Sequence, residues 1–453
     1  MTGEHHADDT APITATRAQH DQRHNQRNTM KSTWMAAVAM AAATTLLAAC
    51  GSGSGSGSGS AAAPGEKVTL TYANWSEDQT PAMEQIAAEF QKANPDITVK
   101  VQTLPWTEYW STLQVGAAGG TAPDAFWMLA DHFREYAKGG QLLDLSETVK
   151  AGGIDTGVYP KAVTDSYTYE GKLFALPKDF DTNGIWYNKA LFDAAKVAYP
   201  DDTWGWQDVQ DAARKLTDKA KGVWGVAAPI DPQGGYYNTI LQAGGSIING
   251  EGTASGFASP ESVAGLKFWT DLQAAGSSPT LQQLSDTEAV SMFENQKVAM
   301  YFSGAYWAFR FHKNADLKGK VDVAPLPQGV KRATVTSGIG NAGYAGSKHP
   351  EELKKFLAFL GGTKAAEIQA ATGTVLPAYK GTQQPWLDAM PEFKLQVFVD
   401  AIEYGVPLPV AGNASEWQGL AAQYLAPAWN GEKPVQEAAK EYQAAVDEVL
   451  AKQ

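Results

Sequence analysis

Val68-Thr-Leu-Thr-Tyr72, then Pro81-Ala-Met-Glu-Gln-Ile-Ala-Ala-Glu-Phe90, then Ile97-Thr-Val-Lys-Val101 follow one another in this chain. The first and third stretches alternate apolar with polar residues, as half-buried strands do. Pro81 suits the first turn of a helix, where its missing N–H costs nothing. Met83, Ile86, Ala87 and Phe90 recur at i, i+3, i+4 and i+7 on one apolar face, and Asn94-Pro95 ends it. A strand–helix–strand unit of this kind predicts parallel strands joined by a right-handed crossover.

The pattern continues downstream. A second helix is expected over 107–118, before Gly119-Gly120, and a short buried strand over 125–129. Further strands are expected at 173–176, 184–187, 298–302 and 321–325, with the Gly-rich stretch 336–345 as strand or loop. Helices are expected at 206–216, 260–275 and 286–295. Leu353, Phe356, Leu357 and Leu360 mark another helix, and Val435, Ala438, Ala439, Tyr442, Val446 and Val449 a terminal one. Strands alternating with helices over this length predict an α/β protein with open parallel sheets, whose ligands bind beyond the carboxyl ends of the strands.

Upstream lies an apolar run from Trp34 to Ala49, preceded by Lys31. It reads as the apolar region of a secretory signal and is short for a membrane-spanning helix. Residues 1–29 are polar and hold His5, His6, His20 and His24; they read as a metal-binding tract, as a long polar leader, or as sequence ahead of a true start at Met30. No Arg-Arg pair precedes the apolar run, which favours the general secretory route. The run ends at Cys50, the only cysteine, so an internal disulfide is excluded. Leu47-Ala48-Ala49-Cys50 resembles a bacterial lipobox, which implies a diacylglycerol on Cys50 and cleavage before it. Gly51 to Ser60 is a Gly/Ser repeat, a flexible linker.

Charge and composition narrow the function classes. Acidic and basic residues balance in the first 49 positions, so the net charge of −13 belongs to the part after the signal. An acidic body argues against nucleic acid and against a basic membrane-binding face. Most of the 14 tryptophans lie after the signal, many beside Gly, Pro, Asp or Asn. Aromatic faces set next to polar groups suit sugars, and such tryptophans are expected to be exposed. His132, His312 and His349 are far apart and form no metal motif. No phosphate-binding Gly-x-x-x-x-Gly-Lys occurs. No cofactor is expected.

Five stretches in succession carry a family resemblance: Ile86-Ala-Ala-Glu-Phe-Gln-Lys-Ala-Asn-Pro-Asp-Ile-Thr-Val99, Gly119-Gly-Thr-Ala-Pro-Asp-Ala-Phe-Trp127, Tyr169-Glu-Gly-Lys-Leu-Phe-Ala-Leu-Pro177, Thr182-Asn-Gly-Ile-Trp-Tyr-Asn-Lys189 and Phe293-Glu-Asn-Gln-Lys-Val-Ala-Met300. Together they resemble the extracellular solute-binding proteins of ABC sugar importers, the maltose-binding-protein type. The resemblance implies a type II periplasmic-binding-protein-like fold: two α/β lobes, a hinge of two or three strands and a ligand cleft between them. It divides the chain into a signal peptide with a polar extension (1–49), a lipidated Gly/Ser linker (50–65), a first lobe (66–174 and 304–362) and a second lobe (175–303 and 363–453). The crossings fall near Ala175, Ser303 and Gly362. It implies a non-catalytic, monomeric lipoprotein on the extracytoplasmic face of the cell membrane, which hands a carbohydrate to permease subunits.

The site residues follow from the same resemblance. Trp75 and Glu77 occupy the loop after the first strand, and Trp106 or Glu108 the loop after the second. Asp131 would accept a pair of sugar hydroxyls, because a carboxylate takes two such donors with charge assistance. His132 does not match the basic residue some relatives carry there. Asp179 and Asp181 lie at the first crossing. Tyr236 or Tyr237, in Gly234-Gly-Tyr-Tyr-Asn238, would stack on a sugar, as would Trp307 with Tyr306 behind it. Asn341 lies in the Gly-rich strand, and Glu416-Trp417 matches a cleft aromatic. Other readings stand beside these: Trp75 packed on the first helix, Trp106 as a helix-start staple, and Asp179 and Asp181 as hinge hydrogen-bonding groups. A secreted glycoside hydrolase is the alternative function, with Asp179/Asp181 or Glu77/Asp131 as paired carboxylates.

Overall fold

The computed structural model describes residues 67–412 and 414–452. Cys50, the expected lipid attachment point, and the Gly/Ser linker lie outside them.

Strand β1 (Val68–Asn74) buries Val68, Leu70 and Tyr72, the positions its alternation selects. Helix α1 (Thr80–Ala93) starts at the expected proline and buries Ala82, Met83, Ile86, Ala87 and Phe90 against the sheet. Asn94 closes it by donating its side-chain amide to the Phe90 carbonyl. Strand β2 (Ile97–Thr103) returns parallel to β1 in continuous register from Val68/Ile97 to Asn74/Thr103. Helix α2 (Trp106–Gly119), strand β3 (Ala125–Leu129) and helix α3 (Ala130–Lys138) follow, with β3 parallel to β1.

Two further strands, β4 (Ala175–Pro177) and β9 (Ile339–Gly343), complete the first sheet in the order β2-β1-β3-β9-β4. The second sheet is built from β5 (Asn183–Asn188), β6 (Trp224–Val226), β7 (Val298–Gly304) and β8 (Val321–Pro325), in the order β8-β5-β7-β6. Each sheet is covered by helices; one buried cluster takes in the first sheet and runs on to one face of the second (Trp186, Tyr301, Val323), and another lies on the second sheet's other face (Ile185, Tyr187, Met300). The molecule is thus two α/β lobes.

The sheets are mixed, where parallel ones were expected. β9 runs antiparallel to both β3 and β4, and β5 antiparallel to both β7 and β8. The physical reason is the route of the chain. β5 and β9 are each reached directly from the other lobe, without the helical crossover that forces a parallel return. The helix expected over 286–295 spans Ala289–Glu294, and a separate short helix, Leu281–Asp286, precedes it.

The lobes are joined by three extended segments lying side by side, 178–182, 337–339 and 376–378. Lys178 N–H donates to Ile339 O, Asp181 N–H to Ser337 O and Ser337 N–H back to Asp181 O, while Phe180 N–H reaches Leu376 O and Ala378 N–H reaches Lys178 O. Two crossings differ from expectation. The return expected near Ser303 comes only at 337–338, because β8 still pairs along β5 in the second sheet. The helix Thr363–Thr372 still packs on α1, so the last transfer follows it and not Gly362. Gly338 is a requirement of the hinge: a Cβ there would fall 2.2 Å from the Asp179 carbonyl oxygen.

Candidate functional site

The carboxyl ends of β1, β2 and β3 lie along one edge of the first sheet, beside the point where the strand order reverses. The residues that follow them build one wall. Asn74 is buried at the end of β1, and its Oδ1 accepts from Ser76 N–H at 2.9 Å, which turns the chain sharply and puts Trp75 at the edge. The first turn of α2 supplies Trp106, Tyr109 and Trp110 on one face. The Trp75 ring meets Trp106, Tyr109, Trp110 and Trp127 at centroid distances of 5.4, 4.9, 5.9 and 5.0 Å. Trp106 stands outermost, 50% exposed. Trp75 thus packs on α2 and β3, not on the first helix, and it stays half-buried at the rim.

Asp131 and His132 open α3. The His132 ring stacks on Trp110 at 3.8 Å and 18°. Asp131 Oδ1 and Trp110 Nε1 are both buried with no hydrogen-bond partner. Burial pushes the Asp131 carboxyl up, with His132 and the N–H groups of the helix start opposing it. A buried acceptor left unmade costs about 1–3 kcal/mol, and a donor arriving from a ligand removes that cost.

The second lobe meets this wall. Helix α4 (Ala414–Gly419) packs against α3. Burial pushes the Tyr237 phenol well above its ordinary range, and the charge of Asp131 adds a little to that. Asp131, Arg134, Glu135 and Lys138 share one face of α3 by their spacing. The last three line a groove of about 790 Å³ opposite Glu416 of α4 and Lys452. Gln418 of α4 adds another buried donor without a partner, its Nε2.

At the hinge, Asp181 is partly buried, and its carboxyl is pushed well up by burial and by Asp179, with the Lys178 charge and the Tyr306 N–H opposing. Asp231 follows β6; burial pushes it up too, while Gly234 N–H donates to it at 3.0 Å. Tyr306 is 39% exposed, its hydroxyl 2.9 Å from Ser303 Oγ. Trp307 donates to the same Oγ at 3.0 Å, stacks on Phe311 and lies under the Arg310 guanidinium at 5.1 Å. Gln233 donates to Ser337 Oγ at 2.8 Å, beside Asp181's partner strand.

Several expected contacts are placed elsewhere. Tyr236 and Tyr237 are fully buried in the second lobe, ring to ring at 4.9 Å, and offer no open face to stack on. Trp417 is also fully buried; Ala414, Trp417 and Ala421 form the inner face of the helix pair, and Trp417 Nε1 donates to Ala411 O at 2.9 Å. Asn341 is an internal brace: Trp127 Nε1 donates to Tyr72 Oη at 2.7 Å, and Tyr72 donates on to Asn341 Oδ1 at 2.6 Å. Asp179 is held by Lys178 at 2.5 Å and by Ile339 N–H at 2.7 Å, so it is a hinge group. Nor are the tryptophans generally exposed; Trp127, Trp186, Trp269, Trp386 and Trp417 are among the largest fully buried side chains. Glu77 stays exposed in the loop after β1, and Glu108 in the first turn of α2. Trp110, Gln418 and Asp231 were not foreseen. For Trp110 a signal existed, since it stands four residues after Trp106 on the same helix face.

Among the described residues, no group of three or more His, Cys, Asp or Glu is placed to hold a metal ion, and no helix is long and apolar enough to cross a membrane.

Two lobes on a three-segment hinge, with polar and aromatic groups collected between them, define a solute-binding protein. Residues 73–367 match the sequence profile of the bacterial extracellular solute-binding proteins. The chain belongs to that family. A substrate-binding protein of Listeria monocytogenes, solved with cycloalternan, is 30% identical and superposes with a TM-score of 0.78, covering 85% of this chain and 100% of its own. The galactooligosaccharide-binding protein of Bacillus subtilis is 26% identical over 361 residues, 75% of this chain and 79% of that one. The sugar-binding protein MalE of Xanthomonas citri shares the fold, with a TM-score of 0.72 at 21% identity over 85% of this chain and 98% of that one.

Proposed function

We propose that this protein is the substrate-binding lipoprotein of an ABC importer. It captures an oligosaccharide between its lobes and delivers it to a membrane permease. The observation that carries the reading is the half-buried wall Trp75–Trp106–Trp110 ending at the unpartnered Asp131 oxygen. Aromatic faces take the C–H faces of sugar rings, and a carboxylate takes their hydroxyls. The wall is built from several aromatic rings, which favours an oligosaccharide over a single sugar. The sugars named for the relatives agree with this class.

Trp75, Trp106, Trp110 and Asp131 act from the first lobe, with Glu77 and Glu108 at the rim. Asp181, Asp231, Tyr306, Trp307, Glu416 and Gln418 act from the hinge and the second lobe. Lobe closure on the sugar is a two-state shift driven by differential affinity. The protein acts as a binder and not as a hydrolase. Asp179 is engaged by Lys178, which leaves the Asp179/Asp181 pair without two free carboxylates. The lipid on Cys50 would hold the protein at the extracytoplasmic membrane face as a monomer.

Thermal unfolding in the presence of maltotriose, a galactooligosaccharide or cycloalternan tests the reading. At a hundredfold excess over Kd a ligand stabilises by about 2.7 kcal/mol, a readable rise in Tm. No rise with any of the three would overturn it. Cys50→Ala should release the protein from the membrane fraction; retention would remove the lipid anchor.

A further inference from the structure

Lys178 is fully buried between the lobes, a place where a charge is costly unless it is well paired. Its ammonium donates to Asp179 Oδ2 at 2.5 Å, to Gln79 Oε1 at 2.8 Å and to Gln369 Oε1 at 3.2 Å. It also stands 4.4 Å from the centroid of the Trp127 ring. Burial lowers its pKa and the Asp179 charge opposes that. The hinge strands do not need this cation, since their backbone groups already pair across Ile339 and Ala378. What the ammonium adds is reach. Gln79 ends the loop that carries Trp75 and Glu77 and immediately precedes α1, with its side chain turned to Lys178 and not to the helix start. Trp127 is the ring on which Trp75 stands edge-on at 5.0 Å. One cation thus touches both the end of the Trp75 loop and the ring beneath Trp75.

We propose that Lys178 is the positioning residue of the cleft: through Gln79 and Trp127 it fixes the orientation of Trp75, and so couples the aromatic wall to the hinge. Gln369 supplies a control, because it holds the same ammonium from the helix Thr363–Thr372, which carries none of the wall residues. A merely structural Lys178 predicts that losing either glutamine has the same effect. A positioning Lys178 predicts that only the Gln79 arm moves Trp75.

The test compares Gln79→Ala, Gln79→Glu and Gln369→Ala in the full chain, with two readouts. Only the second depends on the sugar-binding reading. In protein labelled with 5-fluorotryptophan, the Trp75 fluorine signal, assigned by its loss in Trp75→Phe, should shift or broaden in Gln79→Ala. It should stay in place in Gln369→Ala and return in Gln79→Glu, which keeps the acceptor. Affinity for maltotriose, the galactooligosaccharide or cycloalternan should fall about tenfold in Gln79→Ala and stay within about twofold in the other two. A Trp75 signal indifferent to Gln79→Ala, or equal changes in Gln79→Ala and Gln369→Ala, would overturn the proposal. Failure of the unmodified protein to bind any of the three sugars would overturn the sugar-binding reading alone, since the fluorine comparison still decides the role of Lys178.

Discussion

Asp131 and Trp110 have opposite polar needs: one lacks a donor and the other an acceptor. Removing an unpartnered buried group is neutral or stabilising to the empty protein, but it removes a contact from the complex. Trp110→Phe should therefore keep or raise the Tm of the unliganded protein while weakening sugar binding about tenfold; unchanged affinity would take Trp110 out of the site. Asp131→Ala should weaken binding by about 1.5–3 kcal/mol, the worth of hydrogen bonds to a charged group, without unfolding the protein. Its pH dependence has a definite sign. The Asp131 carboxyl is raised by burial, so the folded state holds its proton more tightly than the unfolded one. The stability it contributes is fullest below the ordinary carboxylate range and is lost as pH rises through the raised value. Asp131→Asn removes that loss, so its Tm advantage over the unmodified protein should be largest near neutral pH and shrink as pH falls. A gap independent of pH would contradict the buried carboxylate.

At the scale of elements, position after a strand proved the best guide to the wall. Trp75 and Asp131 follow β1 and β3 almost directly, and the rule for parallel strand ends places them without further information. The second lobe was harder to read. Gly234-Gly235 before Tyr236 and Tyr237 suggests an exposed loop, yet the turn packs inward and both rings enter the core. For Trp417 the apolar spacing with Ala414 marks an inner position, and only Glu416 beside it is exposed. The consequence is measurable. Trp417→Ala should cost about 3–5 kcal/mol and lower Tm strongly, as a buried aromatic does. Trp106→Ala should leave Tm nearly unchanged and weaken binding instead. The reverse outcome would exchange the roles given to the two tryptophans.

At the scale of the molecule, strand direction and the crossing points were the least legible features. Apolar alternation reports that a segment is a strand and says nothing of which lobe sends it. The family resemblance supplied two lobes; only the pairing of Val321–Pro325 with β5 showed how long the chain stays in the second. The three-segment hinge has its own test. Gly338→Ala sets a Cβ against the Asp179 carbonyl, so the segments must part. Small-angle scattering should then show a smaller sugar-induced compaction than in the unmodified protein, and equal compaction would mean that the hinge tolerates the side chain.

The placement of β9 in the middle of the first sheet bears on how the chain is born. β3 and β4 are made early, yet the strand that joins them, Ile339–Gly343, emerges only after the whole second sheet. Such distant pairing is slow to form. Until it forms, β3 presents an unpaired edge, and the first lobe cannot settle while the ribosome is still supplying the second. A nascent chain that stays unfinished for so long remains loose enough to be threaded, and is also exposed to edge-to-edge association.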